Sequence, residues 1–298
     1  MRAGLIVLAL WLAGLGAAAQ FGKISVLYEV LALRYAGHGV VALGLAVSVV
    51  GLVGLVFGTT AGLIVMRVGP RRAILWALVL GAAVSVGQAG LPPYPLMMAL
   101  RVLEGVSHLA IVVVGPVVIA GAASVAWQGA AMTLWSTFFG LTYALLAVLA
   151  PPLLAFGGAG ALFLAHGGWM LACACLLTLL LPRDVGAGAR THAGGRGEGL
   201  VAQHLAIYAS PRVAAPALGF VFYTAIYVAI LTLLPPLLPQ GWRGPVAAGM
   251  PIVSILVSLT LGVWLLPRLG PVRVVQVGFG AGALAVVGFG AGLGLPWA

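Results

Sequence analysis

Arg101, Glu104 and His108 stand within the segment RVLEGVSHL at spacings i, i+3 and i+7. In a helix such residues share one face, so the guanidinium and the carboxylate can pair along it. The imidazole continues the polar stripe and either joins a proton relay or donates a single hydrogen bond. At a rise of about 1.5 Å per residue the stripe covers about 10 Å of depth. Gln20 and Lys23 form a second polar pair at i, i+3, and Lys23 is the only lysine in the chain. Its long side chain either reaches the interior or snorkels to the outer headgroups. With Lys23, Arg101 and Glu104 in one cavity the net charge is +1, which gives a mild preference for an anionic solute. Phe220, Tyr223 and Tyr227 make an aromatic face that either lines a pore or packs against a neighbour. Glu29 is expected nearer the outer surface.

The elements that hold these residues follow from composition. The chain is 63% hydrophobic and only 6% charged, with a mean hydropathy of +1.22. A soluble domain carries about 25% charged residues. A chain this poor in charge cannot cover a water-facing surface, so its surface faces lipid. The apolar runs are about twenty residues long without inside/outside alternation, which gives helices and excludes a membrane barrel. Nine runs are expected, at 4–33, 39–66, 73–91, 95–121, 129–156, 159–181, 213–238, 245–266 and 274–295. The first opens like a cleavable signal peptide, with an Ala-x-Ala at 17–19. The apolar pattern continues through FGKISVLYEVLAL, so it is taken as a retained first helix. The glycines at 54, 58 and 62, and at 278 and 282, are expected to form small faces for close helix packing, with a part in rocking motions. Cys173 and Cys175 point to different faces and are taken as packing residues.

Of the fourteen Lys and Arg, ten fall on the side of the N-terminus, two on the other (Arg34 and Arg243), and Lys23 and Arg101 lie within runs. This bias places the N-terminus in the cytoplasm of a multi-pass protein of the cell (inner) membrane. The net charge of +10 therefore marks orientation and not nucleic-acid binding. The interval 182–212 is rich in Gly and Arg and reads as a cytoplasmic linker, ending in either a connector or a short helix lying on the membrane surface. Residues 1–181 make a six-helix N-terminal half and 213–298 an incomplete C-terminal half of three helices. The basic turns MRVGPRR at 66–72 and PRLGPVR at 267–273 fall between runs 2 and 3 and between runs 8 and 9. Equivalent positions in a duplicated unit explain the echo, with the second copy stopping after the ninth helix.

These motifs resemble the major facilitator superfamily. The family's cytoplasmic loop signature is matched by Gly62, Arg67, Gly69, Arg71 and Arg72, with Met66 where the family has Asp. That departure puts the family's usual cytoplasmic latch in doubt. The second copy keeps Arg268, Gly270 and Arg273, with Val263 where a Gly belongs. Arg101 and Gly105 match the family's fourth-helix pattern. The fifth-helix Gly-Pro signature of many drug antiporters is not matched, although Pro151 and Pro152 stand in that run. The segment RVLEGVSHLAIVVVGP is similar to bacterial members near the cyanate and nitroimidazole transporter group. The resemblance implies an all-α bundle and a secondary transporter that moves a small solute by alternating access. It implies a symporter or antiporter working as a monomer in the lipid bilayer; H+ is the expected coupling ion, carried by Glu104, the one mid-run carboxylate beside a permanent cation, with His108 as its partner.

Other function classes find little support. No G-x-x-x-x-G-K-[ST] is present for nucleotide-driven pumping, no H-E-x-x-H for zinc proteolysis and no G-x-S-x-G for a serine nucleophile. No enzyme activity, cofactor or metal is expected. The alternatives that remain are efflux of hydrophobic compounds and a truncated, non-transporting remnant. The expected solute and proton pathway comprises Arg101, Glu104, His108, Lys23, Gln20, Tyr223 and Tyr227.

Overall fold

The computed structural model describes residues 2–183 and 200–290. The chain is all-α over these residues, as the run lengths require. The first crossing is α1 (Arg2–Val26), continued after a turn at Leu27 by the short α2 (Tyr28–Arg34). A 3-10 turn at Ala36–His38 leads into α3 (Gly39–Val68), followed by α4 (Pro70–Gln88) and α5 (Tyr94–Ala122). Then come α6 (Val125–Ser136) and α7 (Phe138–Leu180), and beyond the linker α8 (Leu200–Ala209) and α9 (Pro211–Leu237). The last elements are α10 (Gln240–Val257), a π-helical turn at Ser258–Gly262, and α11 (Val263–Gly290).

Two helical stretches, Val125–Leu180 and Gln240–Gly288, run for 56 and 49 residues. A single crossing needs about twenty. Each is long enough to cross twice, and each is broken inside: the first at Gly157 and Gly158, the second at Gly270. With those reversals counted, the described residues contain the nine apolar crossings expected. Of the interval 182–212, residues 184–199 lie outside the described residues, as do 291–298 at the end of the ninth run; 200–209 form α8.

The two basic turns share one backbone conformation. Gly69 has φ 95° and ψ 134°, and Gly270 has φ 75° and ψ 162°. Side chains resist that region, so glycine is required at both places. Each glycine precedes a proline, Pro70 or Pro271, whose fixed φ suits the first turn of the returning helix. The sequence R-x-G-P thus encodes the same reversal twice. In the first copy, the Arg71 side chain donates to the carbonyls of Leu181 and Thr178 (3.1 and 3.0 Å). These lie at the end of α7, where the last carbonyls lack helical partners. A cation there also suits the helix dipole. Val272 stands at the corresponding place in the second copy, so no such cap is made.

Packing is concentrated in the first six crossings. One apolar core gathers the ends of α1, α4, α5, α6 and α7 around Leu10, Leu78, Ile111, Trp135 and Met170. A second gathers Phe21, Ile24, Leu27, Met97 and Phe163, and Val228 and Leu231 of α9 join it. Close helix approach occurs at Gly16, Gly22, Gly81, Gly105 and Gly115, where an added Cβ would meet a neighbouring side chain well inside contact distance. The expectation for 54, 58 and 62 was different, and the structure corrects it. An added Cβ at Gly54, Gly58, Gly62, Gly278 or Gly282 would meet nothing within 4 Å. Those glycines border open space and do not bring helices together.

This contrast yields a paired prediction. A Cβ at Gly105 would lie 2.7 Å from Val53 Cγ2 and 3.2 Å from Val50 Cα, so Gly105→Ala must push α3 away from α5. It should lower stability by about 1–3 kcal/mol. Gly58→Ala should leave thermal unfolding in detergent unchanged or slightly improved. Equal melting of both variants would contradict the packing described.

Candidate functional site

Four helices bring their intramembrane polar residues to one level. α1 supplies Gln20 and Lys23; α4 supplies Ser85 and Gln88. α5 supplies Arg101, Glu104, Ser107 and His108, and α7 supplies His166. Gln20, Lys23, Ser85, Gln88, Arg101, Glu104 and Ser107 are all 0% exposed. The layer lies between the two apolar cores, so each polar atom must find its partner within the layer.

Glu104 is the centre. One carboxylate oxygen, Oε1, lies 2.5 Å from Lys23 Nζ. The other, Oε2, accepts from Arg101 Nη1 and from Gln88 Nε2, the latter at 3.0 Å. Arg101 also ties three helices together. Its Nε donates to the Ala46 carbonyl (2.8 Å), Nη2 to that of Val47 (3.3 Å) and Nη1 to that of Gln20 (2.6 Å). Lys23 Nζ donates to Ser85 Oγ (2.9 Å) and lies 3.2 Å from His166 Nδ1. His166 Nε2 lies 2.9 Å from the Gly16 carbonyl, so this nitrogen carries the proton and Nδ1 is left as the acceptor. Gln20 Nε2 donates to Ser107 Oγ at 2.9 Å, and Ser107 donates to the Ala77 carbonyl at 2.7 Å. The Oε1 atoms of Gln20 and Gln88 are buried without a partner, and Glu104 Oε1 meets Lys23 as an ion pair without hydrogen-bond geometry. The layer thus holds two cations and one carboxylate in direct contact.

Beside this layer lies a cavity of about 630 Å³ between the first half and α9. Its wall includes Phe21, Val47, Gly51, Gly54, Gly58 and Val112 from the first half, and Val221, Thr224, Val228 and Thr232 from α9. None of its described lining residues is Asp, Glu, Lys or Arg. Hydroxyl groups of Tyr28, Ser48, Tyr208, Thr224 and Thr232 and the imidazole of His108 supply its polar points. His108 Nδ1 donates to the Ala17 carbonyl at 2.9 Å, and its ring stands edge-on to Phe21 at 4.9 Å between centroids. At the C-terminal end of α1, and in α2 beyond it, polar contacts reach α7, α9 and α10. Thr232 Oγ1 donates to Ser25 Oγ (2.7 Å), which also contacts the Tyr143 hydroxyl (3.3 Å). Arg243 pairs with Glu29 at 3.3 Å, both partly exposed.

Of the residues expected from sequence, Arg101, Glu104, Lys23 and Gln20 come together, but behind the cavity wall and not on it. Only His108 among the expected pathway residues lines the described cavity. Lys23 does not snorkel; it turns inward. Tyr223 and Tyr227 stack on each other (5.5 Å), and Tyr227 packs against Phe139 and Tyr143. Tyr227 faces α7, and neither tyrosine is among the residues of α9 that line the cavity. The side chain of Phe220 lies outside the described residues. Sequence reasoning missed Ser85, Gln88, Ser107 and His166. The signal available was their place as isolated polar residues inside apolar runs, at depths matching Lys23 and Glu104.

The family model described as Major Facilitator Superfamily matches residues 6–298. No curated protein matches the chain.

The layer makes a sharp prediction about stability. Glu104→Gln removes the one anion and leaves two buried cations uncompensated, which should cost about 3–5 kcal/mol. Lys23→Met leaves Glu104 with Arg101 and Gln88 and should cost much less. Thermal unfolding of both purified variants in detergent checks this ordering, and the reverse ordering would contradict it.

Proposed function

The chain belongs to the major facilitator superfamily, a family of secondary transporters, and from that premise we propose that it carries a small, uncharged and largely apolar molecule by alternating access. The observation that supports this solute class is the cavity wall, which is apolar except for hydroxyls and one imidazole. Such a wall pays no desolvation penalty for a neutral guest, whereas a bare anion would lose its water without gaining a counter-charge. The anion preference expected from sequence rested on a cavity of net charge +1. That charge is buried behind the wall, so the hydrophobic-compound reading is the better supported. Open glycine faces on α3 leave the cavity wide where side chains would otherwise fill it.

The coupling ion in this reading is a proton. Support comes from His108, which stands on the cavity wall one helical turn from Glu104. The chain acts as a monomer in the cell membrane with its N-terminus in the cytoplasm, a reading supported by the asymmetry of arginines. The division at 182–212 into two halves of one duplicated unit belongs to the same proposal. Its support is the shared conformation of the turns at Gly69 and Gly270.

The test uses the full chain in proteoliposomes with two dyes, one neutral and hydrophobic and one an organic anion. The neutral dye should move down an imposed proton gradient and the anion should not. Gly54→Leu and Gly58→Leu have room to fold but fill the cavity. Each should slow the neutral dye at least about tenfold, equivalent to ~1.4 kcal/mol. Preferred movement of the anion, or indifference to both leucines, would sink the proposal.

A further inference from the structure

The buried layer carries two cations against one carboxylate, and an excess charge in hydrocarbon is costly. The layer becomes neutral by giving up one proton, and the hydrogen-bond inventory decides where. Arg101 does not release one, because a guanidinium stays protonated in proteins. Glu104 is badly placed to hold one. Its two oxygens face Lys23 Nζ, Arg101 Nη1 and Gln88 Nε2, all of them donors. A carboxyl hydrogen there would find an acceptor only if the Gln88 amide turned its unpaired Oε1 toward it.

Lys23 is in the opposite position. Its ammonium has three N–H groups and three acceptors: Glu104 Oε1 at 2.5 Å, Ser85 Oγ at 2.9 Å and His166 Nδ1 at 3.2 Å. After loss of a proton, Nζ keeps two N–H groups and gains a lone pair. Ser85, whose hydroxyl donates to the Phe163 carbonyl at 2.8 Å, can turn and donate to that lone pair. The amine is therefore as well matched as the ammonium. His166 Nδ1, which also lies 2.9 Å from Ser85 Oγ, supplies the acceptor for the departing proton, since Nε2 already donates to the Gly16 carbonyl. In this step an N–H bond breaks at Nζ and one forms at Nδ1, leaving an amine and an imidazolium. When alternating access opens the layer to water the imidazolium yields that proton, and the layer is then neutral.

We propose that Lys23, with His166 as its acceptor, is the residue that takes up and releases the coupling proton, and that Glu104 is its fixed counter-ion. This assignment deepens the proton-coupled transport reading and rests on it. The groups that face Lys23 are Gln20 on its own helix, Ser85 and Gln88 from α4, Arg101, Glu104 and, one turn further, His108 from α5. From α7 come His166 and the ring of Phe163, whose centroid is 5.0 Å from Nζ.

Because Lys23 is the only lysine, 15N-lysine labelling of the full chain in lipid nanodiscs gives one side-chain signal. That signal is expected to convert from ammonium to amine as pH rises while the chain stays folded. Infrared difference spectra over the same range should show no carboxylic acid band from Glu104. An ammonium signal that persists until unfolding would overturn the assignment. So would a carboxylic acid band that disappears in Glu104→Gln. Transport is scored separately, with the neutral dye in proteoliposomes. Conversion at Lys23 in a chain that moves no dye retires the transport reading and overturns the coupling role with it, leaving Lys23 only as the titrating group of the layer. Dye accumulation driven by pH, with an ammonium that never converts, overturns the assignment and leaves transport standing.

Discussion

One carboxylate holding two cations in the middle of an apolar bundle is the interaction on which the arrangement of α1, α3, α4, α5 and α7 depends. Glu104 binds Lys23 from α1 and Arg101 from its own helix, while Arg101 reaches the carbonyls of Gln20, Ala46 and Val47. Three helices are thereby fixed at one depth and one rotation. Apolar packing alone gives little such register, because lipid tails are as apolar as the helix faces. Ser85, Gln88 and His166 extend the constraint to α4 and α7. The apolar cores above and below the layer then have defined faces to fill.

The glycines divide by the same logic. Where helices carry the polar layer, Gly81, Gly105 and Gly115 let neighbouring side chains close in, and the bundle is dense. On the side of α3 that looks toward α9, Gly51, Gly54 and Gly58 border the cavity. A single residue type thus does opposite work on opposite sides of the half. Spacing in sequence does not distinguish the two uses, since both follow helical periodicity. What differs is whether another helix lies opposite.

This explains how much was legible in advance. Run lengths and the R-x-G-P echo carried the helical architecture, because membrane thickness and the φ of glycine are local constraints. The pairing of Arg101 with Glu104 was also local, at i, i+3. Lys23 and His166 are 143 residues apart, and Lys23 and Ser85 are 62 apart, so their meeting depends on which helices neighbour each other. The depth of Lys23 was ambiguous because the first apolar run is long enough to place it at either level. The turn at Leu27, which ends α1 and sets that depth, has no clear mark in the sequence. The cavity was least legible of all, since it is made of side chains that are unremarkable one by one.

The reversals at Gly69, at Gly157 and Gly158, and at Gly270 bear on how the chain enters the bilayer. Each joins two crossings through one or two glycines, with almost no connector between them. Neither member of such a pair can wait in the headgroup region while the other inserts, because there is no slack to span the difference. The pairs α3–α4, the two parts of α7, and the parts of α10–α11 before and after Gly270 must therefore partition as preformed hairpins. Biogenesis would then proceed in units of two helices, and the ion layer would assemble only once hairpins made separately had docked.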